Sequence, residues 1–150
     1  MSGPMVVGVD GSAMATLAVR WAAREAKLRA AKLELIFVWE VPIGALGYGY
    51  GFAGIPDDLL KGLEKNAEEV LATAAEAARE EAPDVELETR AVEGQAADVL
   101  MAASGDADLL VLGSRGMGGF RELLLGSVSQ QCAHHAICPV VIVRHLEQAA

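Results

Sequence analysis

Gly113-Ser114-Arg115-Gly116 is followed, after nine intervening residues, by Gly126-Ser127, and these two glycine clusters carry the plainest chemical implication in the chain. They lie between the strongly apolar run from Asp108 to Leu112 and a segment that reads as helical from Val128 onward. Glycine has no Cβ, so the backbone there can approach a ligand closely. Successive amide N–H groups in such a loop can form an anion-binding concavity. Ser127 followed by Gln130 has capping-box spacing, which predicts Ser127 as the N-cap and puts free N–H groups and the positive end of a helix dipole beside Gly126. Arg115 adds a positive charge within reach. The chemistry such an arrangement performs is the holding of phosphate.

Glycines after a strand often only turn the chain, and a Ser/Gln pair at that spacing often only caps a helix. Two such clusters together are more specific than either alone. They do not form the Walker A loop GxxxxGK(S/T), because no lysine occurs between Gly113 and the C-terminus, nor do they form GxGxxG. Asp10, at the end of the first apolar run, is the second informative residue. The common fate of Asp at a strand end is local turn chemistry. The alternative is a carboxylate on the same sheet edge as the Gly113 loop, where it would also help hold a metal near phosphates.

The elements that must position these residues follow from periodicity. Met5 to Val9 reads as a buried parallel strand, and Asp10-Gly11-Ser12 ends it. Ser12 is the expected cap of a helix with an apolar stripe of Leu17, Trp21, Ala22, Ala26 and Leu28 and a wet side of Arg20, Arg24, Lys27 and Arg29. Lys32 to Trp39 is a second strand. The glycine-rich stretch 41–56, with Tyr48 and Tyr50, reads as a mobile loop. Pro56-Asp57-Asp58 opens a long helix that buries Leu59, Leu60, Leu63, Ala67, Val70, Leu71, Ala74 and Ala78 and stops at Pro83. Asp84 to Val92 alternates, as a half-exposed edge strand does. A helix through Val99, Leu100 and Ala103 then leads to the strand Leu109 to Leu112. Phe120 to Leu125 fills the interval as a short helical turn, a fourth helix runs from Ser127 to just before Cys138-Pro139, and Val140 to Val143 closes the chain as an apolar edge strand that invites pairing.

With 150 residues, 53% of them hydrophobic, the chain suits a single domain over 1–150 with a true core. Its formal net charge of −9 argues against nonspecific binding to nucleic acid or to anionic membrane, both polyanions. The N-terminus lacks the form of a signal peptide, and no apolar run reaches membrane-spanning length, so the expected location is the cytoplasm. Cys132 and Cys138 flank His134 and His135. A zinc site from these four is outweighed by ordinary core and helix-end roles, since a cation in the last helical turn complements the dipole.

The pattern Gx2Gx9G(S/T), read as Gly113, Gly116, Gly126 and Ser127, resembles the ATP-binding signature of the universal stress protein family. The likeness extends to Val7-Gly8-Val9-Asp10 and to the closing Cys138-Pro139-Val140-Val141-Ile142-Val143, and so covers nearly the whole chain. The resemblance implies a Rossmann-like α/β fold, a five-stranded parallel sheet of order 3-2-1-4-5 with helices on both faces, which brings Asp10 and Gly113 together at the topological switch point. It implies ATP, or AMP or ADP, with Mg2+ accompanying the nucleotide and Asp10 as the candidate metal ligand. The implied nucleotide-binding residues are Asp10, Gly11, Ser12, Val38, Leu112, Gly113, Ser114, Arg115, Gly116, Gly118, Gly126, Ser127, Val128 and Ser129. Asp10 and Val38 would hold the base end, and Gly116, Gly126, Ser127 and Ser129 the phosphates.

It further implies a homodimer through Val140 to Val143 and a stress-response regulator acting on protein clients. No nucleophile and base are arranged in the sequence, so no catalytic residue is assigned and slow ATP hydrolysis is the most that is expected. Two rival readings stand beside this one. A related enzyme cleaving ATP between its α and β phosphates would need SGGxDS where this chain has Asp10-Gly11-Ser12-Ala13-Met14. A nucleotide-independent dimeric scaffold would lack the glycine signature.

Overall fold

Apolar runs of strand length alternate along this chain with amphipathic segments of helix length, a pattern that stacks helices on a parallel sheet. The computed structural model describes residues 3–41, 56–116 and 125–144. In chain order the elements are β1 (Met5–Val9), α1 (Ala13–Arg29), β2 (Leu33–Trp39), α2 (Asp57–Glu81), β3 (Leu87–Glu93), α3 (Ala96–Ala103), β4 (Leu109–Gly113), α4 (Ser127–His135) and β5 (Val140–Val143). The strands form one parallel sheet in the order β3-β2-β1-β4-β5, as expected.

Side chains alternate across a strand, so each strand feeds two cores. Met5, Val7 and Val9 of β1, with Leu33, Leu35 and Phe37 of β2 and Leu109 and Val111 of β4, bury against α1 and α2. Val6, Ile36, Leu110 and Leu112 point the other way and pack with Leu100 of α3 and Cys132 of α4. Gly8 lies in the second set. A Cβ there would come within 2.8 Å of the Leu100 and Leu112 methyl carbons, so its absence lets α3 sit close to the sheet.

Three expectations shift. The buried stripe of α1 is Ala15, Ala18, Val19, Ala22, Ala23 and Ala26, whereas Leu17 is 36% exposed and Leu28 81% exposed. Small side chains at i, i+3, i+4 and i+7 spacing, alanine at every position but Val19, let α1 sit tightly between the sheet and α2, and the two leucines fall on its flanks. On α2 the deep burial is likewise at the alanine-rich half, Ala67 to Ala78, while Leu59, Leu60 and Leu63 are half-buried. β3 starts at Leu87 rather than Asp84, because the Val85 amide turns back to the Ala82 carbonyl at 3.2 Å. Its place at the sheet margin is the expected one. Arg20 and Arg24 of α1 pair with Glu80 and Glu81 of α2 at 2.9–3.4 Å. Such solvent-facing pairs orient two helices and add little stability.

Candidate nucleotide site at the carboxyl edge of the sheet

β1, β2 and β4 end at the same edge of the sheet, where open α/β folds bind ligands. A cavity of ≈ 380 Å³ opens there. The strand alternation that sends Val6 and Gly8 to the α3 and α4 side also sends Asp10 there, and Asp10 lines the cavity. Gly11, at φ 86, then turns the chain into α1, a backbone region that favours glycine. One Asp10 carboxylate oxygen accepts the Ser12 N–H at 2.9 Å, and the Ser12 hydroxyl accepts the Ala15 N–H at 3.1 Å as N-cap of α1. Asp10 thus has the expected turn role and also faces the cavity.

The cavity has two chemically distinct ends. Ile36 and Val38 of β2, Ala96 and Leu100 of α3, and Leu112 of β4 make one apolar. β1 stops at Val9, opposite Phe37, so β2 runs on for Val38 and Trp39 without it. The Trp39 carbonyl accepts the Gly94 N–H at 2.9 Å on the β3 side. Peptide groups alternate along a strand, so the Val38 carbonyl faces the opposite side, where β1 has ended. That end therefore offers apolar walls and one backbone acceptor.

The other end is polar, formed by Asp10, Ser12, Arg115, Gly116, Gly126 and the first turn of α4. The N-cap of α4 is Gly126, not Ser127, and no side chain caps it. Extended backbone at Gly126 (φ −72, ψ 168) brings its carbonyl to the Gln130 N–H at 3.0 Å, and its own N–H donates to the Ser114 carbonyl at 2.6 Å. The Ser114 contact holds residue 126 outside the helix, which moves the cap one residue ahead of the capping-box reading. The amides of Ser127, Val128 and Ser129 then precede the first i to i−4 bond and lie at the positive end of the helix. All three residues line the cavity.

The expected residues divide by position. Asp10, Ser12, Val38, Leu112, Gly113, Arg115, Gly116, Gly126, Ser127, Val128 and Ser129 are brought together around the cavity. Ser114 is not in its lining: it is 4% exposed, with its N–H on the Val143 carbonyl at 2.9 Å. Gly11 lines a separate hollow of ≈ 220 Å³ between α1 and α2. Gly118 lies outside the described residues, as do 120–124 of the expected short turn and 42–55 of the glycine-rich loop. Gly8, Val9, Ala15, Ile36, Ala96 and Leu100 also line the cavity and were missed. Alternation from Asp10 and Val38 points back to Gly8 and Ile36, whereas nothing in the sequence ties Ala96 or Leu100 of α3 to the glycine clusters.

Among the described residues no three His, Cys, Asp or Glu side chains group as metal ligands. Cys132 is fully buried in the second core, and burial pushes its thiol pKa up to about 11. Cys138 is half-buried; its thiol is also raised, first by burial, with the Asp108 charge contributing. Only the thiolate is nucleophilic. At pH 8 iodoacetamide should therefore modify Cys138 in the native chain and reach Cys132 only on unfolding. Peptide mapping that finds both modified at equal rates would contradict the burial of Cys132.

A model of the universal stress protein family matches residues 1–144. A universal stress protein of Mycolicibacterium smegmatis is 36% identical over 149 residues, covering 97% of this chain and 49% of the relative. The Bacillus subtilis universal stress protein YxiE is 32% identical over 150 residues, covering 96% of this chain and 100% of the relative. The chain thus spans about half of the first relative and the whole of the second. Among solved structures, a universal stress protein in complex with cAMP is 26% identical with a TM-score of 0.70, covering 96% of this chain and 98% of that one. The Archaeoglobus fulgidus universal stress protein in complex with dAMP is 26% identical with a TM-score of 0.65, covering 93% and 96%.

Proposed function

The chain belongs to the universal stress protein family, and from that premise we propose that it binds ATP, or AMP or ADP, as a cytoplasmic stress-response regulator formed by one domain over 1–150. The observation that carries the reading is the two-ended cavity. A purine fits between Ile36, Val38 and Leu100, and its exocyclic amine meets the Val38 carbonyl, which is an argument for adenine over a 6-oxo base. The phosphates fit at Gly116 and the amides of Ser127, Val128 and Ser129, where the helix dipole and Arg115 supply positive potential. Asp10, read with Val38 as a contact of the base end, is also the side chain that would meet Mg2+ carried in with ATP. That two relatives are described with cAMP and dAMP supports an adenine nucleotide.

The titratable side chains in the lining, among the described residues, are Asp10 and Arg115, and the reading assigns a catalytic role to neither. β5 ends the sheet with all four residues half-buried, and a second copy pairing along Val140–Val143 would cover them. Protein clients would read the occupancy of such a dimer.

Denaturing freshly purified protein and identifying the released nucleotide by mass spectrometry tests the reading. The expected result is ATP or AMP at about one per chain, or, for protein that emerges empty, saturable calorimetric binding of both at micromolar Kd. Empty protein that gives no heat with AMP or with ATP and magnesium would leave the nucleotide-independent scaffold.

A further inference from the structure

Ser129 fits the proposed phosphate site by position but not by the direction of its hydroxyl. It is 3% exposed. Its hydroxyl proton is shared between two carbonyl oxygens, that of Ser114 at 3.0 Å and that of Gly126 at 3.1 Å. The second contact is the ordinary i to i−3 bond that serines make in a helical turn. The first spans fifteen residues and joins α4 to the loop after β4. A hydroxyl has one proton, and with it committed to carbonyls only lone pairs remain to face a phosphate oxygen, which they repel.

We propose that Ser129 is a positioning residue: its hydroxyl clips the Ser114 peptide to the first turn of α4, so that Gly116 and the amides of Ser127 and Val128 converge on one phosphate. The Ser114 carbonyl receives both the Ser129 hydroxyl and the Gly126 N–H, the latter at 2.6 Å. One peptide therefore fixes the spacing between the two glycine clusters. The N–H of Ser114 itself, in the preceding peptide, is anchored on the Val143 carbonyl of β5, so the clip is tied to the sheet and not to another loop. This inference rests on the phosphate site proposed above.

The test compares the parent chain with Ser129→Ala and Ser129→Thr, the latter keeping a hydroxyl. Two quantities are read: calorimetric affinity for AMP and for adenosine, and amide hydrogen exchange at Gly126 in ligand-free protein by NMR. In Ser129→Ala the Gly126 amide should exchange about tenfold faster, and AMP should bind about tenfold more weakly, the scale of one lost hydrogen bond in the clip. Adenosine, which has no phosphate, should bind within about twofold of the parent, and Ser129→Thr should restore both quantities. Weaker AMP binding with unchanged Gly126 exchange would make Ser129 a direct ligand and overturn the proposal, as would AMP affinity that does not change. Equal losses for AMP and adenosine would show general loosening of the fold and also overturn it. A parent chain that binds neither ligand would instead bring down the nucleotide reading, and the positioning role with it, in a way visible before any variant is made.

Discussion

Gly116→Val is expected to bind AMP and ATP at least about 100-fold more weakly than the parent chain, a loss of roughly 3 kcal/mol, while unfolding at nearly the same temperature. Gly116 does not occupy the positive-φ region, so valine meets no backbone strain there. A Cβ at this position would lie 2.5 Å from the outer carboxylate oxygen of Asp10. The other carboxylate oxygen is held by the Ser12 N–H at 2.9 Å, so the group cannot swing aside without losing that bond. The new side chain must then push Asp10 into the cavity or occupy the cavity itself. Either outcome removes space from the polar end of the cavity, the proposed phosphate site, and leaves both cores untouched. Calorimetric titration beside thermal unfolding of ligand-free protein decides the matter, and normal affinity in the variant would falsify the phosphate cradle.

Gly113→Ala, only three residues earlier, should do the reverse. Here a Cβ would sit 2.9 Å from the Met14 carbonyl carbon, 2.9 Å from its Cβ and 3.0 Å from its oxygen. These are largely backbone atoms of the first turn of α1, fixed by the Ser12 cap, and they cannot yield as a side-chain tip can. Overpacking of this kind costs about 2–3 kcal/mol. For a chain of this size that lowers the melting temperature by about 5–10 °C. The folded fraction should still bind AMP. Urea unfolding without ligand measures the loss, and a parental midpoint would mean that α1 can retreat from β4 freely. The two glycines share a motif and divide its work, one admitting a helix against a strand end and the other, on the proposed function, leaving room for a ligand.

Much of the fold was legible because it is written in local periodicity. The β1 boundaries, the capping of α1 by Ser12, the acidic first turn of α2 and the apolar strand before Gly113 all follow from residues within one turn or one pleat of each other. The strand order came from resemblance to a family, since five similar apolar runs do not themselves say which are neighbours. Within α1, size misled: leucine is more apolar than alanine, but the helix lies too close to the sheet and α2 for leucine to enter, and that spacing is a property of three elements together.

The sequence by itself determined that this chain makes a parallel α/β sheet and that its two glycine clusters suit an anion. Those properties depend on side-chain alternation, helix period and the lack of a Cβ, all encoded over a few residues. Only the tertiary structure decided what each residue of the motif does. Gly126 became the N-cap because the Ser114 carbonyl, twelve residues earlier, claims its N–H. Ser129 turned its hydroxyl inward because that same carbonyl lies within 3.0 Å. Ala96 and Leu100 joined the cavity because α3 packs over the end of β1. A hydrogen bond or a steric limit between distant segments has no local signature, and it exists only once the sheet has brought those segments to one edge.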